Sequence, residues 1–368
     1  MIFKLEKRPS DSKAMAYLSP VLAVLLTLIS GAIVFASLGH DPLGSLYVFF
    51  LQPLEDLYGW TELGIKVAPL LLCAMGLMLC FKAQVWNIGA EGQFILGGLG
   101  GGFLALQLGD VESYWVLPAV LLFGSLCGLA WAALAAWLKT RFSANEILTT
   151  IMLNYIALYF LYYGVHGPLK DPDGFNFPES ALFSDFAMLP VIFEDYRLTI
   201  SILFALFAVA VIWTFMSRAM LGFQINVLGQ DPSAASFAGF KDKKLVWLVL
   251  LICGALAGLA GVSEVTGPVG QLNPYIAPGY GYAAIIIVFL GRMHPGGIVI
   301  ASMLLALTYM GGEMVQMDLT LPKSITGLFQ GMLLFYLLAC DLLISYRIVR
   351  DRPVQTKSSS NQQETAQA

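Results

Sequence analysis

Long apolar runs alternate along this chain with short breaks rich in glycine, proline and charge. Neither the period of two of a half-buried strand nor the polar stripe of a water-facing helix dominates. Runs approaching the ~20 residues that a helix needs to cross a bilayer fall near 16–38, 64–82, 88–107, 115–138, 147–165, 198–217, 246–265, 280–291, 295–312 and 326–346. The pattern predicts an all-α polytopic membrane protein with about ten transmembrane helices, the eighth of them short. An even number of crossings brings both termini to one side. Composition agrees: 58% of residues are hydrophobic, 12% are charged and the mean hydropathy is +0.76. A soluble domain carries ~25% charged residues, so the bilayer is the expected solvent.

Charge sets the orientation. Of the 20 basic residues, 16 fall on the side of the two tails, and only Lys66, Lys170, Arg197 and Lys323 fall on the other. The positive-inside rule then places both termini in the cytoplasm. The domain plan is a cytoplasmic N-terminal tail (1–15), a transmembrane domain (16–346) and a cytoplasmic tail (347–368), polar, low in complexity and read as disordered. Within the transmembrane domain, 166–197 is an outer loop and 218–244 the longest inner loop. The first run is longer than a signal-peptide core and is read as an uncleaved span. A net charge of −4 argues against a nucleic-acid partner.

Catalytic chemistry is missing from the pattern. No phosphate-binding G-x-x-x-x-G-K-[ST] loop occurs, so the chain does not cradle ATP itself. His40, His166 and His294 are far apart, and no paired Cys/His set suggests a metal. The five cysteines all lie in apolar runs and read as small hydrophobic residues. The chain reads as a conduit.

Polar residues inside apolar runs cost ~2.5–3.5 kcal/mol each on insertion scales when ionisable, so each needs a reason. In "WNIGAEGQFILGGLGGG", Asn87 is a candidate N-cap and Glu91 falls in the first turns, where the helix dipole favours a carboxylate. Glu91 and Gln93 alternatively line a polar path or brace a cytoplasmic gate. Glycines four apart (Gly97 and Gly101, Gly98 and Gly102, Gly124 and Gly128, Gly254 and Gly258) fit close helix packing. In "SANEILTTIMLNY", Ser143 and Glu146 form a capping-box pattern. Glu146, Thr150 and Asn154 share one helix face, so Asn154 either bonds a neighbouring helix or meets a solute. Glu264 ends its run at the outer side, where a helix C-terminus disfavours a carboxylate; an outer gate or partner docking is its alternative role. Asp341, near the inner end of the last run, reaches water on this reading.

The inner loop has a helix of its own. "DPSAASFAGF" offers Asp231 as cap and Pro232 at the first position. Ala234, Ala235, Ala238 and Gly239 then give a smooth face, suited to a partner's groove or to the membrane surface.

These stretches together carry a resemblance. "WNIGAEGQ", "NEILTTIMLNYIALY", "LGQDPSAASFAGF" and "GYAAIIIVFLGRMHPGG" occur in this order and resemble recurring segments of the permease subunits of bacterial ABC importers for branched-chain amino acids, ribose and nucleosides. The nucleoside and simple-sugar group is the most similar. The resemblance implies a permease subunit of the bacterial cytoplasmic membrane, forming the translocation path and working by alternating access. Its partners would be a second permease, identical or homologous, a cytoplasmic ABC ATPase and an extracytoplasmic substrate-binding protein. ATP and magnesium would sit on the ATPase, with no cofactor in this chain. It implies a coupling helix, with Gly229, Asp231, Pro232, Ala234, Ala235, Ala238 and Gly239 meeting the ATPase. A bulky residue at Ala235 is then expected to uncouple transport and spare insertion. Asp231, Phe237 and His294 stand where the group usually has Asn, Tyr and Asn. The opposite starting sides of spans two and seven suggest two inverted-repeat halves. Asn87, Glu91, Gln93, Thr150, Asn154 and Glu264 are the candidate path residues. A gradient-driven secondary transporter, or a permease of the same family for branched-chain amino acids, are the alternatives.

Overall fold

In hydrocarbon a backbone must satisfy its own N–H and C=O groups, so long apolar runs become helices. A computed structural model describes residues 3–8 and 12–350. In chain order the helices are α1 (Lys13–Ser37), α2 (Pro42–Phe50), α3 (Leu57–Lys82), α4 (Ala90–Gln107), α5 (Val116–Phe142), α6 (Glu146–His166) and α7 (Ser201–Arg218). They continue with α8 (Met220–Gln230), α9 (Pro232–Phe237), α10 (Asp242–Glu264), α11 (Tyr280–Leu290), α12 (Pro295–Asp318) and α13 (Ser324–Ser345). Each predicted run holds a helix. Among the described residues, 8 helices are long and apolar enough to cross a membrane: α1, α3, α5, α6, α7, α10, α12 and α13. In α4, Glu91, Gln93 and the glycines dilute the apolarity. With 11 residues, α11 spans about half of a ~30 Å hydrocarbon core at ~1.5 Å per residue.

The described residues divide into two compact units, one of residues 30–331 and one made of those up to 29 together with 332–350. The smaller unit departs from an all-helical plan. Strands β1 (Phe3–Lys7) and β2 (Tyr346–Arg350) pair antiparallel, with Phe3 opposite Arg350 and Lys7 opposite Tyr346. Alternation in "FKLEK" is the local signal for the first strand. The strand corrects the expectation of disorder over 347–350; the rest of that tail, 351–368, lies outside the described residues. In the same unit Ser19 Oγ donates to Asp341 Oδ1 at 2.6 Å, so Asp341 has a partner on α1 as well as its place near the helix end.

The larger unit is built on α3, α4, α5 and α10. The apolar stretch of α3 is 89% buried, against 33% for that of α5, α6 or α7, which makes α3 a central post. Packing of α4, α5 and α10 depends on small residues. A Cβ at Gly97 would lie 2.3 Å from the Cα of Gly258, and one at Gly128 would lie 2.5 Å from the carbonyl oxygen of Gly254. Backbone therefore meets backbone, and close van der Waals contact replaces the hydrophobic effect that lipid cannot supply. Gly76 of α3 likewise abuts the Cα of Cys253 on α10.

The connections hold two differences from the sequence reading. No element is predicted between 38 and 64, yet α2 forms there, started by Asp41, whose Oδ2 accepts from the Gly44 amide at 2.7 Å. Its Phe49 stacks on Phe329 with ring centroids 4.4 Å apart. Ser143 is not a helix cap for α6. It ends α5 in a left-handed conformation (φ 53°), and Asn145 caps α6 by accepting from the Ile147 amide. The reason is the shortness of the link: three residues, 143–145, must both stop one helix and start the next. The 166–197 loop is laid along 266–272 by backbone bonds, including Leu189 N to Thr266 O and Ser180 N to Leu272 O.

Replacing Gly97 by valine should destabilise the protein by about 1–3 kcal/mol or more, because the new atoms meet backbone that cannot rotate away. Gly327→Ala, where a Cβ meets nothing within 4 Å, should leave thermal unfolding in detergent unchanged. Equal melting temperatures for the two variants would refute the close-packing account.

Candidate functional site

Two helices begin inside the larger unit, where their free amides lack water. Helix α4 starts after Gly89, which occupies the N-cap position with no side-chain cap. The predicted cap Asn87 stands two residues earlier, its Oδ1 accepting from Gly89 N at 2.9 Å. It closes a local turn because the chain must reverse after α3 before α4 can begin, and Gln84 makes that reversal at φ 57°. The capping task passes to α6: Asn154 Oδ1 accepts from Gly92 N at 2.8 Å, and its Nδ2 donates to Ile88 O at 2.8 Å. Thr150 Oγ1 accepts from Ile88 N at 3.2 Å.

Glu91 serves a different helix from the one it sits on. Its two carboxylate oxygens accept from Gly279 N at 3.0 Å and Gly281 N at 2.6 Å. These amides open α11, whose own N-cap, Gly279, has no side chain to offer (φ 97°). The carboxylate thus neutralises the positive end of a neighbouring helix dipole. Contact is close: a Cβ on Gly281 would lie 2.3 Å from the Glu91 nitrogen. Asn87 Nδ2 reaches Gln93 Oε1 at 3.3 Å and Cys253 Sγ at 3.2 Å, and Asn154 Nδ2 reaches the Tyr282 hydroxyl at 3.1 Å. Asn87, Glu91, Gln93, Thr150 and Asn154 are all buried and form one bonded node. Of the six candidate path residues, the structure brings these five together.

Glu264 is elsewhere. It ends α10 where the helix loosens into a π-type turn, Val265–Val269. The charges acting on it are Lys66, Arg197, Glu313 and Glu62. Lys66 Nζ bonds Glu313 Oε1 at 2.8 Å, and Arg197 donates to Pro268 O at 2.9 Å. The sequence reading put Lys66, Arg197 and Glu264 on one side but did not foresee Glu62 and Glu313 joining them. Gly279, Gly281 and Tyr282 were missed as partners of Glu91 and Asn154; the only local sign is the alternating "GYGY" before an apolar run.

The 218–244 loop holds α8, α9 and the start of α10. Asp231 caps α9 by accepting from Ser233 N at 2.8 Å, and Pro232 takes the first helical position. The helix stops at Phe237, so Ala238 and Gly239 lie beyond it. Gly239, at φ 78°, ends it with paired bonds from Gly239 N to Ser236 O and Phe240 N to Ala235 O. Gly229 sits on the end of α3, where any Cβ would lie 1.9 Å from the Lys82 carbonyl oxygen. Ala235 is buried, which corrects the expectation that it is part of an outward smooth face. The exposed residues of the turn are Asp231, Pro232, Ser233, Ala234, Ser236, Phe237, Ala238 and Gly239. Of these Phe237 is the one large apolar side chain, 92% exposed. A six-residue helix cannot hide both faces, and the one carrying Ala235 is spent on its own chain.

Removing the Glu91 carboxylate leaves the buried Gly281 amide and the half-buried Gly279 amide unpaired, at about 1–3 kcal/mol for a fully buried one. Glu91→Ala should lower the melting temperature in detergent clearly, Glu91→Gln less, and Glu112→Ala, at an exposed site, not at all. An unshifted Glu91→Ala would remove the carboxylate from its bracing role.

Comparison with known proteins places this architecture. The model of the family described as "Branched-chain amino acid transport system / permease component" matches residues 61–338. The chain is 32% identical to the glucose ABC transporter permease protein TsgB13 of Haloferax volcanii, over 94% of this chain and 93% of that protein. It is 27% identical to the guanosine ABC transporter permease protein NupP of Bacillus subtilis, over 87% of this chain and 92% of that one. A further Haloferax volcanii permease protein, TsgC13, is 30% identical over 65% of this chain and 71% of its own length. The chain belongs to the branched-chain amino acid transport system permease component family, as a multi-pass transport subunit.

Proposed function

We propose that this chain is one permease half of an ATP-driven importer for neutral cyclic solutes, simple sugars or nucleosides. A second permease, identical or homologous, completes the path; relatives that carry paired names in one organism, TsgB13 and TsgC13, support this. A cytoplasmic ABC ATPase binds ATP and magnesium, and an extracytoplasmic binding protein delivers solute. The proposed setting is the bacterial cytoplasmic membrane, crossed about ten times, with both termini inside. The pairing of β1 with β2 within one unit supports termini on a common side, and the distribution of basic residues supports the cytoplasm.

The observation that carries the reading is the α9 knob. It is capped at both ends by its own residues, shows Phe237 to solvent and rests through Gly229 on the end of α3. A surface helix packed on α8, which itself rests through Gly229 on a central post, is suited to transmit force from a docked partner. Gly229, Asp231, Pro232, Ala234, Ala238 and Gly239 build and bound this knob, and Ala235 anchors it from below. In the same scheme, Asn87, Glu91, Gln93, Thr150 and Asn154 brace the gate near the start of α4. Glu264 with its charged neighbours supplies the opposite end of the path, where the proposed binding protein docks.

Uptake of labelled glucose and guanosine in cells expressing the full set of subunits tests the reading. It should stop on ATP depletion and survive an ionophore that collapses ion gradients; the reverse result would establish a secondary transporter. Phe237→Ala should keep membrane insertion and weaken co-purification of the ATPase by about 30-fold, the loss of one buried aromatic anchor of about 2 kcal/mol. Ala235→Trp is expected to break the knob itself, and so reports folding. Undiminished ATPase capture by Phe237→Ala would move the docking surface elsewhere.

A further inference from the structure

Three tyrosines on adjoining helices stand where a lipid-facing surface should carry none. Tyr155 is the tenth of the 21 residues of α6. At ~1.5 Å per residue it lies ~14 Å from the start of the helix, close to the middle of a ~30 Å hydrocarbon core. Tyrosine favours the membrane–water interfaces, where its hydroxyl is wet, and not the midplane. Yet Tyr155 is 54% exposed, Tyr159 one turn on is 67% exposed, and Tyr282 of α11 is 42% exposed. Among the described residues, the hydroxyls of Tyr155 and Tyr159 have no hydrogen-bond partner, while that of Tyr282 accepts from Asn154 Nδ2. A phenol hydroxyl facing hydrocarbon without a partner costs energy. These rings therefore face something other than lipid.

The position of Tyr282 is set by the buried node. Gly281, the residue before it, donates its amide to Glu91, and Asn154, the residue before Tyr155, holds the Tyr282 hydroxyl. Tyr155 and Tyr282 are near enough to act on one another electrostatically. The face is uncharged: α6 carries no acidic or basic residue between Glu146 and His166. Flat amphipathic rings whose hydroxyls can still donate, on an uncharged surface, suit a neutral, ring-shaped, hydroxylated solute, through stacking and hydrogen bonds together. They offer nothing to balance the carboxylate and ammonium of a free amino acid.

We propose that Tyr155, Tyr159 and Tyr282 line the aqueous solute path of the assembled transporter and contact the solute directly, selecting neutral cyclic molecules. The solute class rests on the function proposed above; the assignment of the lining does not. Glu91 and Asn154 are positioning residues for this surface.

Cysteine accessibility in membrane vesicles holding the complete transporter tests it. Tyr155→Cys, Tyr159→Cys and Tyr282→Cys, each made singly, should react with a charged, membrane-impermeant methanethiosulfonate at rates approaching that of Tyr114→Cys, a site 90% exposed in the link between α4 and α5. Phe207→Cys, on the exposed side of α7, gives the lipid baseline, and the unaltered chain gives the background from its own cysteines. Rates at 155 and 159 no faster than the Phe207→Cys baseline overturn the proposal. Tyr155→Ala should raise the apparent KM for uptake about tenfold, the loss of one ring contact, while Tyr155→Phe keeps most of the affinity. An unchanged KM in Tyr155→Ala overturns the direct contact. Fast labelling with no uptake of glucose or guanosine by the unaltered protein leaves the lining in place and rejects the solute class.

Discussion

A helix that begins within a membrane protein exposes amides that neither water nor lipid can satisfy. This chain begins two such helices, α4 and α11, side by side, and the rest of the larger unit is arranged around that need. Glu91 meets the amides of Gly279 and Gly281, Asn154 meets that of Gly92, and Thr150 meets that of Ile88. Each donor and acceptor sits on a different element, so the bonds that satisfy the backbone also fix α4, α6 and α11 to one another. A carboxylate in an apolar run, costly in isolation, becomes the fastening between two helix starts.

The knob and the node stand at the two ends of one short stretch of chain. Gly229 presses on the Lys82 carbonyl, and seven residues, 83–89, lead from there to α4 and Glu91. Those residues are held throughout: Asn87 bonds Gln93, and Ile88 is gripped on both its N–H and its C=O by α6. The rings of Phe81 and Trp86 both stack near Phe289 at the far end of α11. Displacement of the end of α3 would therefore be delivered to the starts of α4 and α11. On the proposed function, this is the route by which a motor outside the membrane reaches the solute path within it.

Small residues make such a route mechanically tight. Gly97 against Gly258 and Gly128 against Gly254 allow α4, α5 and α10 to pack backbone to backbone. Side chains that could repack and absorb a movement are missing from those contacts. Interiors packed in this way transmit strain instead of dissipating it.

The sequence by itself determined where the long apolar helices run, though not the short α2, because length and hydropathy are properties of a continuous segment and hydrocarbon leaves few alternatives to a helix. It also determined the start of α9, since Asp231 and Pro232 act on backbone within three residues of themselves. Its failures are of another kind. Asn87 and Ser143 had the chemistry of caps, but the reversals at 83–89 and 143–145 claimed them for turns. Ala235 had the right size for an outward face and was turned inward. The partners of Glu91 lie 188 and 190 residues away, and Glu264 comes within the electrostatic reach of Lys66 and Glu313 only through the packing of α3, α10 and α12. Local bonds can be read along a chain; bonds between helix starts depend on how those helices cross, and only the tertiary structure decides that.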